Sequence, residues 1–128
     1  MKNIWIVDDD EEMTRAMQLM LKLLDCNVTA FMGARPAAQT LLSGKRPDLM
    51  ILDINMPEVS GLDMLEFVRR RAEWNDMPIL MLSTEAADVT VDKAMELGAD
   101  GYVSKPVTIE ELEKAINTAL EKHQKGSL

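Results

Sequence analysis

A chain of 128 residues, 47% hydrophobic and 28% charged, is long enough for one domain with a single sizeable core. Its net charge of -8 argues against nucleic acid as a direct partner, and one Cys with one His leaves no plausible zinc site and no intramolecular disulfide. No apolar run approaches the ~20 residues of a membrane helix, and the start, Met1 to Glu12, turns acidic too soon for a signal peptide.

The first apolar stretch, Ile4 to Val7, predicts a strand that ends in Asp8-Asp9-Asp10. Met13, Ala16, Met17, Met20, Leu21 and Leu24 then recur at spacings of three and four, which predicts an amphipathic helix with those residues inward. Asp10, Glu11 and Glu12 suit the positive end of its dipole. Cys26, just before the second strand, agrees with a reducing cytosol.

The second strand, Val28 to Phe31, mixes polar with apolar residues and is expected at a sheet edge. It ends in Phe31-Met32-Gly33, with nothing reactive. Pro36 fits a first helical turn, Leu41 and Leu42 close that helix's pattern, and Gly44 ends it. The third strand, Leu49 to Leu52, runs directly into Asp53. The helix after it is expected from about Gly61 to Ala72, with Leu62, Leu65 and Val68 inward and Ser60 and Asp63 spaced for capping. Arg69-Arg70-Arg71 is assigned to its solvated face.

Ile79 to Leu82 gives the fourth strand, followed by Ser83-Thr84. The fourth helix carries Val91, Ala94 and Met95 inward and stops at Gly98. Tyr102 and Val103 mark the fifth strand, followed by Ser104-Lys105. A capping box of Thr108 and Glu111 opens the last helix, which buries Ile109, Leu112, Ile116, Ala119 and Leu120. His123 lies beyond it and is expected in solvent; the eleven methionines are read as adaptable core filler. Strands alternating with helices make an α/β doubly wound sandwich on a parallel sheet.

Four of the five strands deliver polar groups to one sheet edge, where ligands of open parallel sheets bind. A carboxylate behind Met50-Ile51-Leu52 costs several kcal/mol unless paired, protonated or bound to a cation. Clustered acids with no His or Cys suit Mg²⁺, a lysine and a serine suit phosphoryl oxygens, and a carboxylate can attack phosphorus.

These residues carry a resemblance. "VDDD" closing the first strand, "LDINMP" with "SG" around the third, "LSTEA" after the fourth and "GADGYVSKP" around the fifth resemble a response-regulator receiver domain of two-component signalling. The likeness covers Ile4 to about Lys122, which makes 1–122 the domain and 123–128 a tail or linker stub. It implies a flavodoxin-like strand order of 2-1-3-4-5 and phosphorylation of Asp53. It also implies a site for Mg²⁺ (or Mn²⁺) from Asp8, Asp9, Asp53 and the backbone carbonyl of Asn55. Ser83 and Lys105 would meet the phosphoryl group, and Tyr102 would be the aromatic switch. Asn55 or Glu85 would orient the water that resets the protein, and Lys105-Pro106 would be cis. Two departures stand out: Ser83 where many members have threonine, and Thr84 where a smaller residue is common.

The implied partners are a sensor histidine kinase or phosphotransfer protein upstream, and a protein partner or fused effector downstream. The output would use the surface of the fourth helix, fifth strand and fifth helix. The implied location is cytoplasmic, without membrane insertion or direct nucleic-acid binding, and the protein is a switch rather than an enzyme. Two alternatives stay open. An aspartyl-nucleophile phosphatase would want an acid where Asn55 stands, and an FMN-binding module would want a phosphate loop where three aspartates stand.

Overall fold

The structure, a computed structural model, describes residues 1–84 and 88–128, with the side chains of Asp88 and Val89 outside that description. Five strands, β1 (Asn3–Val7), β2 (Asn27–Phe31), β3 (Leu49–Asp53), β4 (Ile79–Ser83) and β5 (Gly101–Ser104), form one sheet. Five helices follow them in turn: α1 (Glu11–Leu23), α2 (Ala34–Leu42), α3 (Gly61–Arg69), α4 (Asp88–Glu96) and α5 (Ile109–Lys122). The strand order is β2-β1-β3-β4-β5, and all four pairings are parallel. This is the doubly wound order expected from the resemblance, with β2 at an edge.

Side chains alternate across a strand, so each central strand feeds two cores. Trp5, Val7, Met50, Leu52, Ile79 and Met81 pack with residues of α2 and α3. Their neighbours Ile4, Ile6, Leu49, Ile51, Leu80 and Leu82 pack with residues of α1 and α5. Burying each such side chain contributes about 1.5–3 kcal/mol, which is why the continuous apolar runs hold these strands central.

Helix starts follow local chemistry. Asp10 caps α1 by accepting from the Met13 N–H, and Ser60 and Asp63 form the complete capping box of α3. Thr108 accepts from the Glu111 N–H at the start of α5.

Several expectations are corrected. α3 ends at Arg69, and a 3-10 turn over Ala72–Trp74 follows it. Ala16, Leu42 and Met95 are exposed, because each lies at the margin of its helix's inward arc. Arg69 is not solvated. Its guanidinium donates to the carbonyls of Gly98, Trp74 and Met77 and to Asp100 Oδ2 at 3.1 Å. Burial holds it below its ordinary pKa, opposed by the charges of Asp100 and Asp76. Arg71 lies over the Trp74 ring, and Arg70 pairs with Glu66. Nor does His123 stand in solvent: its Nε2 lies 2.8 Å from Asp100 Oδ1.

Candidate functional site

Parallel strands end at one edge, and the sheet brings the termini of β1, β3, β4 and β5 together there. Asp8 follows β1, Asp53 is the last residue of β3, Ser83 the last of β4, and Lys105 follows β5. Asp8 is fully buried, Asp53 is 2% exposed and Ser83 3% exposed, while Asp9 is open to solvent.

The acids are held by backbone as well as by burial. Asp8 Oδ1 accepts from the Asp10 N–H at 2.9 Å, so the start of α1 fixes that carboxylate. Asp53 Oδ1 accepts from the Asn55 N–H at 3.4 Å. The ammonium of Lys105 reaches both, 3.5 Å from Asp8 Oδ2 and 3.7 Å from Asp53 Oδ1. Lys105 is presented by a backbone bond from its N–H to the Ser83 carbonyl at 2.7 Å, and the Lys105–Pro106 peptide is cis.

One ammonium among these acids is too little. Burial, and then the charge of Asp8, push the Asp53 carboxyl up to about 7, with Lys105 pulling the other way. Among the described residues Asp8 Oδ2 is buried and accepts no hydrogen bond, with the Lys105 ammonium 3.5 Å away. A buried carboxylate oxygen with no hydrogen bond and one shared ammonium is expensive unless a further cation meets it. Oxygen atoms of Asp8, Asp9 and Asp53 lie within 4.8 Å of one another, the only such group among the described residues. Hard oxygen donors with one open side fit Mg²⁺ or Mn²⁺.

Asn55 and Thr84 are exposed at the rim, joined by a bond from Asn55 Nδ2 to Thr84 Oγ1 at 3.4 Å. Tyr102 lies on edge strand β5 and is 47% exposed. The expectation for Glu85 falls outside the described residues. At the end of β2, Met32 and Gly33 line a groove of about 290 Å³ with Asp9, Met56 and Val59. Asp100 was not singled out in the sequence, and the only signal for it is its place in "GADGYVSKP".

The family model described as the response regulator receiver domain matches residues 4–117. The chain is 33% identical over 119 residues to the chemotaxis protein CheY of Pseudomonas aeruginosa, covering 93% of this chain and 96% of that one. It is 32% identical to the KDP operon transcriptional regulatory protein KdpE of Escherichia coli, covering 96% of this chain and 53% of that protein. It is 31% identical to protein RcaC of Microchaete diplosiphon, of which it spans only 18%. Among solved structures, CheY4 of Vibrio cholerae is similar with a TM-score of 0.84 at 29% identity, covering 94% of this chain and 99% of that one. A putative response regulator from Chloroflexus aurantiacus gives 0.88 at 27% identity, covering 94% of this chain and 98% of that one. The chain belongs to the response regulator receiver domains of two-component systems.

Proposed function

We propose that this receiver domain, read as residues 1–122 with 123–128 as its tail, is a switch driven by phosphorylation of Asp53. The observation that carries the reading is a buried Asp53 sharing one ammonium with Asp8, whose second oxygen has no hydrogen bond among the described residues. Asp8, Asp9, Asp53 and the backbone carbonyl of Asn55 would hold Mg²⁺ or Mn²⁺. When bound, the cation supplies positive charge against the oxygens of the transferring phosphoryl group.

The chain's own residues do the rest. A carboxylate oxygen of Asp53 forms the new O–P bond as the P–N bond of a donor phosphohistidine breaks and its electron pair returns to the imidazole. Lys105 neutralises a phosphoryl oxygen from the β5 side, and the Ser83 hydroxyl turns to donate to another. Movement of Ser83 leaves room for Tyr102 to turn inward, which reshapes the α4, β5 and α5 surface and shifts an existing equilibrium. Hydrolysis of the acyl phosphate resets the protein, with Asn55 or Glu85 orienting the water.

The donor is a sensor histidine kinase or phosphotransfer protein, and the output is a partner or fused effector engaging that surface. The domain works in the cytoplasm, where the Cys26 thiol stays reduced. Among the described residues no helix is long and apolar enough to cross a membrane. Incubation with phosphoramidate and Mg²⁺ should add one phosphate by intact mass, and Asp53→Asn should abolish it. Equal labelling of the Asn variant would overturn the reading.

A further inference from the structure

Lys2, Asp76 and Asp100 precede β1, β4 and β5, so they lie along the sheet edge where the parallel strands begin, opposite the acids. The end of α5 is tied across that edge. After the helix the chain reverses through Gln124, at φ 56° in the left-handed region where glycine is usual. The Gln124 N–H donates to the Glu121 carbonyl at 3.0 Å and the Lys125 N–H to the Leu120 carbonyl at 2.9 Å, which closes the last turn. That turn delivers Lys125 Nζ to Asp76 Oδ2 at 3.0 Å, while the Lys125 carbonyl accepts from Lys2 Nζ at 2.6 Å. Asp76 Oδ1 accepts from Arg46, ahead of β3, at 3.0 Å. Lys125, and then Arg46, hold the Asp76 carboxyl down to about 2.

The end of α5 thus has two anchors of different character. Lys122 and His123 meet Asp100, which is 8% exposed, whereas Lys125 meets Asp76, whose side chain is 57% exposed. Salt screens an exposed ion pair far more than a buried one. We infer that Lys125, Asp76 and Arg46 form a salt-sensitive latch that pins the end of α5 to the connection between α3 and β4. Opening it releases the left-handed turn at Gln124 and loosens the last turns of α5, where Thr118 and Lys122 line a groove with Tyr102. The face proposed for output is thereby adjustable without any chemistry at Asp53.

Amide exchange followed by mass spectrometry in the full chain reads the latch locally, with β3 as the internal reference. In the parent, raising NaCl from about 20 mM to about 1 M should speed exchange across residues 117–125 about threefold, the weight of an exposed ion pair, and leave β3 unchanged. Asp76→Asn and Lys125→Gln should each show the faster exchange already at low salt and respond little to more. Combining the two should add nothing to Asp76→Asn alone, since both remove one contact. A parent indifferent to salt, or single variants that exchange as the parent does, would overturn the latch. So would an equal rise in β3, which would mean a loss of stability throughout the chain. No phosphodonor enters the experiment, so its failure is distinct from a failure of the Asp53 reading.

Discussion

The backbone carbonyl oxygen of Asp53 lies 2.0 Å from where a Cβ on Gly61 would stand. The Gly61 N–H donates to the Ile54 carbonyl at 2.9 Å, so α3 begins directly against the end of the strand that carries the buried acid. The glycine in "SG" is therefore required by close approach, and its conformation is ordinary. Gly61→Ala should destabilise the protein by on the order of 2–4 kcal/mol through forced backbone displacement. A chemical-denaturation midpoint equal to the parent's would contradict this.

Asp53 supplies a second prediction, with its sign fixed by linkage. Its folded carboxyl, near 7, binds a proton more tightly than the unfolded one, whose ordinary value is 3.8. In EDTA, stability conferred by the protonated form is present at acidic pH and lost as pH rises from about 4 through about 7. Asp53→Asn removes that dependence, so the variant should exceed the parent by on the order of 3 kcal/mol at pH 8 and match it near pH 4. Parallel pH profiles for the two proteins would refute it.

Metal binding follows from the same group. A protonated Asp53 is a poor ligand, so Mg²⁺ affinity should weaken as pH falls below about 7, and binding at pH 6 should release close to one proton. Calorimetric titration in two buffers of different ionisation enthalpy reads the proton count directly. Identical heats in both buffers would be the contrary result.

Asp100 joins elements far apart in sequence. Its Oδ2 accepts from the Ile79 N–H at 2.8 Å and from Arg69, its Oδ1 meets His123, and its carbonyl takes the Lys122 ammonium at 2.6 Å. Removing one partner of a buried ion pair costs about 3–5 kcal/mol, so Arg69→Met should lower the unfolding midpoint strongly. His123→Ala, which leaves the Arg69 pair intact, should lower it less. Equal losses from the two substitutions would show that the pair is not the dominant contact.

What the sequence reveals divides along physical lines. The central strands are plain because burial on both faces demands unbroken apolar runs, and Leu49 to Leu52 lies wholly within β3. Their parallel pairing brings Asp8, Asp53, Ser83 and Lys105 to one edge, so residues distant in sequence could be considered together before any coordinates. The Asp100 cluster was illegible because its contacts, to Arg69 and His123, span 31 and 23 residues and leave no local pattern. Three consecutive arginines look uniformly solvated, yet α3 ends at Arg69, whose side chain turns in to Asp100 while Arg70 and Arg71 stay more exposed. Ala16 and Met95 show the same limit, since spacing identifies a helix face without fixing where its margin falls.

The Asp100 cluster lies at the start of β4 and β5, while Ser83 and Lys105 lie at their far ends. From Ile79 to Ser83 the strand spans roughly 13 Å at ~3.3 Å per residue. The α4, β5 and α5 side is thus mounted like a cantilever, clamped at the end remote from the chemistry. Any displacement begun at Ser83 or Lys105 should therefore be widest at that rim and fade toward Asp100.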